Sequence, residues 1–136
     1  MSRGREVLQP PGWARPRGYA NGIAASGRFV FVAGQIGWDE TGKLVSDDFL
    51  AQSRQALSNI VTVLAQAGAS PEHLVRLTWY VTDKREYLDS GRELGRVYRE
   101  LIGAHYPTMT AVQVVALIED GARVEIEATA VVPAPA

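Results

Sequence analysis

The sequence predicts an α+β two-layer sandwich: one mixed β-sheet with two helices packed on one face. Three observations carry that prediction. β-rich hairpin patterns lie near both ends of the chain, an alternating strand runs from Val75 to Thr82, and an amphipathic helical stretch lies on each side of that strand. Each helical stripe needs a sheet face to cover it, and two layers are the simplest way to supply one.

At 136 residues the chain is one domain, large enough for a hydrophobic core. Residues 1–17 are rich in Pro, Gly and Arg without periodicity, and are expected to form an arm that is loose or laid on the surface. Residues 18–136 make up the domain proper. Its first hairpin pattern joins Ile23–Ala25 to Phe29–Val32 through Ser26-Gly27, and ends at Ala33-Gly34-Gln35-Ile36-Gly37. The glycines there permit a bulge or a close backbone approach. Ser46 and Asp47 are N-cap candidates for a helix in which Leu50, Leu57, Ile60, Val61 and Leu64 share a stripe and Gly68 suits C′. Gln52, Arg54, Gln55 and Asn59 are assigned to its opposite face. Ser70-Pro71-Glu72 opens a brief turn. After the strand, Asp83 caps a second helix with Tyr87, Gly91, Leu94, Tyr98 and Leu101 on one stripe. Ala111–Ile118 and Arg123–Val132, around Glu119-Asp120-Gly121, give the second hairpin pattern.

Two helices cover only one sheet face. The other face, carrying Val131, Tyr80, Thr78 and Val112 or Val114, is too apolar to be wholly wet, which points to a symmetric homo-oligomer.

Composition narrows the function classes. The net charge of −1 offers no field for nucleic acid or an anionic membrane. The absence of cysteine excludes disulfides, thiolate catalysis and cysteine-ligated metals. Arg3, Arg5, Arg15 and Arg17 make the N-terminus basic, but prolines interrupt it and no apolar segment follows, so it does not read as a secretory signal. No apolar run approaches the ~20 residues needed to span a bilayer. A cytoplasmic protein is the expectation. His73 and His105 stand alone, so no metal is expected, and neither a nucleophile elbow nor a phosphate-binding loop occurs. The most informative chemistry is a carboxylate pair. Glu125 and Glu127, two residues apart on a strand, project from one face, opposite the apolar stripe Val124, Ile126, Ala128, Ala130 and Val132.

Taken in order, several segments resemble the Rid (reactive intermediate deaminase, YjgF) family from about Arg17 to Val132. They are Gly18-Tyr19-Ala20, Phe31-Val32-Ala33-Gly34-Gln35-Ile36, the helical Gln52–Ile60, Thr78-Trp79-Tyr80-Val81-Thr82-Asp83, Tyr106-Pro107 and Val124-Glu125-Ile126-Glu127-Ala128. The resemblance implies a chorismate-mutase-like sandwich, a homotrimer with small-molecule clefts between subunits, and hydrolysis of enamines and imines such as 2-aminoacrylate without a cofactor. It gives Glu125 the role of positioning the attacking water, a task for a carboxylate within hydrogen-bond reach. Tyr19 would sit near the cleft, where it either hydrogen-bonds ligand or water or serves as an ordinary half-buried aromatic. Glu127 would face the centre of the assembly, paired by Arg or water.

Three positions depart from the family pattern. Met109 stands where an Arg two residues after the Pro would grip a substrate carboxylate bidentately. Ala33 stands in place of Ser, and Gly95 in place of Asn. Gly34, Thr108 and Thr110 supply backbone donors, and Met109 an apolar wall, to the candidate substrate site. Arg17 and Arg28, near the Tyr19 segment, are candidates to replace the lost cation. The expected function is a hydrolase of small enamine, imine or related C–N substrates, with Glu125 and Tyr19 as catalytic candidates. The alternative is a non-catalytic trimer that binds a small metabolite. A ribonuclease or translation-inhibitor role ranks last, since the chain has no basic stripe and no His pair.

Overall fold

The computed structural model describes residues 4–135. The strands are β1 (Arg5–Leu8), β2 (Gly22–Ala25), β3 (Arg28–Gln35), β4 (Leu74–Val81), β5 (Thr108–Gln113) and β6 (Val124–Val132), and the helices are α1 (Phe49–Gln66), α2 (Lys84–Asp89) and α3 (Gly91–Leu101). A 3-10 turn, Pro71–His73, leads into β4. β3, β6, β4 and β5 form the main sheet in that spatial order; β4 and β5 run parallel and the other pairs antiparallel. This is a mixed sheet in an α+β fold, as the sequence predicts.

Neither expected hairpin forms. β2 pairs with β1 in a separate two-stranded ribbon, while β3 pairs with β6. β4 intervenes between β5 and β6. A turn signal reports where a chain reverses, not which strand it then meets. At both ends a long-range partner with an apolar stripe of its own displaces the neighbour in sequence. Strand β1 also takes up residues 5–8, a stretch with no period of its own.

The core lies between the sheet and the helices. Val124, Ile126, Ala128 and Ala130 from β6, and Leu74, Leu77, Trp79 and Val81 from β4, meet Ala56, Leu57, Ile60 and Leu64 from α1. A register shift between Leu74 and Arg76 lets Leu74, rather than Val75, join the buried set. The cap of α1 is Asp48, not Ser46 or Asp47: its Oδ2 accepts from Ala51 N at 2.9 Å. Gly68 takes the left-handed conformation (φ 68°) just past the helix.

Two further expectations are corrected. The second helix breaks at Ser90 into α2 and α3, and Asp83 caps α2 through the amides of Arg85 and Glu86. Gln52 does not lie on the exposed face of α1; it is fully buried. Its Nε2 donates to Ser46 O and Gly121 O, both at 2.9 Å, and its Oε1 accepts from Arg123 N at 2.8 Å. One side chain thus ties the loop before α1 to the turn before β6. A buried amide is stable only when satisfied in this way. Among the described residues no helix is long and apolar enough to cross a membrane.

Candidate functional site

Two regions of the chain hold the residues singled out in the sequence. The first lies at the β5 edge. Ala20 forms a bridge to Thr108, and its amide donates to Pro107 O at 3.0 Å, which brings Tyr19 beside the start of β5. Tyr19, Thr108, Met109 and Thr110 line one open cleft of about 510 Å³, with Arg76 of β4 also in its wall. Thr108 has its hydroxyl committed, since Oγ1 donates to Val75 O at 2.6 Å. Met109 is aligned with Leu77 and packs against the core, so its side chain lies on the helix side of β5. There it also lines a second cleft of about 380 Å³, formed with Trp79, Tyr98, Tyr106 and the α2–α3 region.

The second region is the bare face of the sheet. Residues aligned across strands share a face, so Glu125 and Tyr80, Glu127 and Thr78, and Thr129 and Phe31 all point away from the helices. The β3–β6 register is interrupted between Val32 and Gln35, which makes a bulge of Ala33-Gly34. The Glu125 side chain lies over that bulge. A Cβ built on Gly34 would fall 1.9 Å from Glu125 Oε2, so only glycine leaves room for the carboxylate there. Within the chain Glu127 pairs with a phenol, not with an arginine: Tyr80 Oη donates to its Oε1 at 2.7 Å. That bond, together with partial desolvation and the charges of Glu127 and Glu125, raises the Tyr80 pKa above its ordinary value.

One chain does not bring the two regions together. Glu125 is aligned with Tyr80 and Tyr80 with Val112, four residues along β5 from Thr108. That offset is about 13 Å along the strands, with about 10 Å more across the two-strand gap between β5 and β6.

The two spare arginines also separate. Arg17 lines the cleft on the helix side of Met109. Arg28 is engaged elsewhere, donating to Ala67 O at 2.5 Å at the end of α1. Sequence reasoning missed Arg76, and it missed the aromatic lining given by Trp79, Tyr87, Tyr98 and Tyr106. Trp79 and Tyr98 read as core residues from their stripes, and only the packing shows that they also border a cavity. The described residues contain no cluster of His, Asp or Glu able to hold a metal ion.

A mixed four-stranded sheet with helices in an α+β fold is shared with other proteins, and the sequence agrees. The pattern of the family described as Endoribonuclease L-PSP matches residues 14–132. The chain belongs to that family, which includes proteins named Rid, YjgF and RutC. It is 35% identical over 127 residues to a RutC family protein, PH0854, of Pyrococcus horikoshii, covering 93% of this chain and 97% of that one. It is 32% identical over 105 residues to the human 2-iminobutanoate/2-iminopropanoate deaminase, covering 76% of this chain and 73% of the relative. Among solved structures, YyfB of Yersinia pestis, a Rid-family protein of unknown function, superposes with a TM-score of 0.84 at 34% identity, covering 95% of this chain and 99% of that one.

Proposed function

We propose that the protein hydrolyses a small imine, enamine or related C–N compound, with Glu125 as the base that positions water. The observation that carries this reading is the Glu125 carboxylate held over the Gly34 bulge on a bare sheet face. Relatives named as imine deaminases support the reaction class. In the imine form the steps balance simply. The water oxygen bonds to the imine carbon as Glu125 takes one of its protons and passes it to nitrogen; the hydroxyl proton of the resulting carbinolamine then moves to the amine, and the C–N bond breaks to leave a carbonyl and ammonia. Tyr19 and the backbone around Gly34 and Thr108–Thr110 would orient the substrate. Met109 stands where the family resemblance puts a carboxylate-gripping Arg, so any anionic group must be held by another cation. Arg17, Arg76 and Arg99 are the arginines that share a cleft lining with Met109.

The site is completed by further copies of the chain. The bare face carries exposed Phe29 and Phe31, and the loop after β5 carries Val115 and Ile118 in full exposure. A homotrimer that buries these surfaces would set the Tyr19–Met109 cleft of one copy against the Glu125–Gly34 region of the next. The test is ammonia release from a panel of freshly generated 2-imino acids. Activity that falls at least about 100-fold in Glu125→Ala supports the reading. Equal rates for the two proteins would remove Glu125 from the mechanism.

A further inference from the structure

We infer that the cavity on the helix side of Met109 is a slot for a planar aromatic ring, so that the substrate is an aryl-bearing 2-imino acid. The inference rests on the reading of the protein as a C–N hydrolase and names the side chain that its substrate carries.

Three features of the cavity point to such an occupant. The first is its lining. Two aromatic pairs border it: Trp79 and Tyr87, edge to face with centroids 6.2 Å apart, and Tyr98 and Tyr106, stacked at 5.5 Å. Rings of this kind hold another ring by stacking or edge contact. At about 380 Å³ the cavity falls within the size range of small-molecule pockets.

The second is charge. Arg17 and Arg99 are the only charged residues in the lining, and neither forms an ion pair among the described residues. No carboxylate opposes them, so the cavity favours an anion.

The third is the pair of glycines on α3. Gly91 and Gly95, one helical turn apart, both line the cavity. Glycine within a helix costs stability, and it is usually explained by a neighbour that needs the space. No such neighbour exists here: a Cβ on Gly91 would meet nothing within 4 Å, and one on Gly95 only Arg99 Nη1 at 3.6 Å. The two glycines keep a space open instead of admitting a packed neighbour.

The experiment compares calorimetric binding of phenylpyruvate and pyruvate, the 2-oxo acid counterparts of an aryl and a small imino acid, to the intact protein. Phenylpyruvate is expected to bind at least about tenfold tighter. Gly95→Leu, which fills the cavity from a helix position that favours leucine, is expected to remove that preference while keeping the fold by circular dichroism. Arg17→Gln with Arg99→Gln is expected to weaken phenylpyruvate at least about tenfold. Equal binding of the two acids by the wild type, or a preference that survives Gly95→Leu, overturns the slot. The reading as a hydrolase fails separately. Gly95-dependent phenylpyruvate binding without ammonia release from any imine keeps the slot and removes the hydrolase; ammonia release without aryl preference does the reverse.

Discussion

The Glu125 carboxylate can lie across β3 only because residue 34 has no side chain. In Gly34→Ala the new methyl group would occupy the place of Oε2, and the far end of a flexible Glu would swing away while the backbone stayed in place. We therefore expect Gly34→Ala to keep its melting temperature within a few degrees of the wild type and to lose ammonia release nearly as completely as Glu125→Gln. A melting temperature lowered by more than about 8 °C would mean that the glycine serves folding instead. Tyr80 and Glu127 make a second residue-scale prediction. The hydrogen bond to Glu127 favours the neutral phenol, so the folded pKa lies above the unfolded value of ~10. Its contribution to stability is complete below pH ~10 and is lost as pH rises through the folded value. Burial raises Tyr87 and Tyr98 in the same sense. A spectroscopic titration of tyrosinate should show phenols ionising above the ordinary range, and Glu127→Gln should bring one of them down. An unchanged titration in that variant would show that the Tyr80–Glu127 bond does not form in solution.

At the scale of elements, α1 does more than cover the sheet. Two adjacent buried polar residues on it behave in opposite ways. Gln52 satisfies three backbone groups from Ser46, Gly121 and Arg123, while Ser53 Oγ has no partner. Gln52→Ala leaves those groups without their partner and opens a hole in the core, so it should cost about 3 kcal/mol or more in denaturant unfolding. Ser53→Ala removes an unsatisfied hydroxyl and should be neutral or stabilising by up to about 1 kcal/mol. The reverse order would refute this account of the α1–β6 connection. Gln52 matters to the candidate site because it fixes the turn that leads directly into Glu125. Its burial was not legible in the sequence: a Gln between Ala51 and Ser53 on an amphipathic helix reads as surface, and only the facing backbone groups make it interior. The N-cap of α1 lies one or two residues beyond the positions the sequence points to, since Ser46, Asp47 and Asp48 all have side chains able to cap and only the backbone path selects Asp48.

For the whole molecule, the separation of Tyr19 and Met109 from Glu125 is the fact that most constrains how it works. Met109 lies about 10 Å along the strands and about 10 Å across them from Glu125, more than one small substrate spans. Either one group is idle or a second chain closes the gap. Closure predicts a solution mass three times 14.8 kDa by light scattering. Phe31, 73% exposed on the bare face, is the residue with which to break it. Phe31→Lys should lower the mass toward that of one chain and reduce activity in the same concentration range. A wild-type mass near one subunit would end the shared-site proposal.

By itself the sequence determined the α+β class, the main helix and its C-terminal Gly68, the alternation of β4, and the family, because periodicity and short motifs are local properties. It also singled out Glu125, Tyr19 and Met109. Strand partners escaped it: Asp120-Gly121 and Ser26-Gly27 turn the chain, yet β6 pairs with β3 and β4, which lie far away in sequence. Only the tertiary structure decided that Glu125 rests on Gly34, that Gln52 is interior, and that four aromatic side chains border a cavity beside Met109. Each of these depends on which surfaces meet across the sheet, and a pairing between distant segments leaves no period in either one.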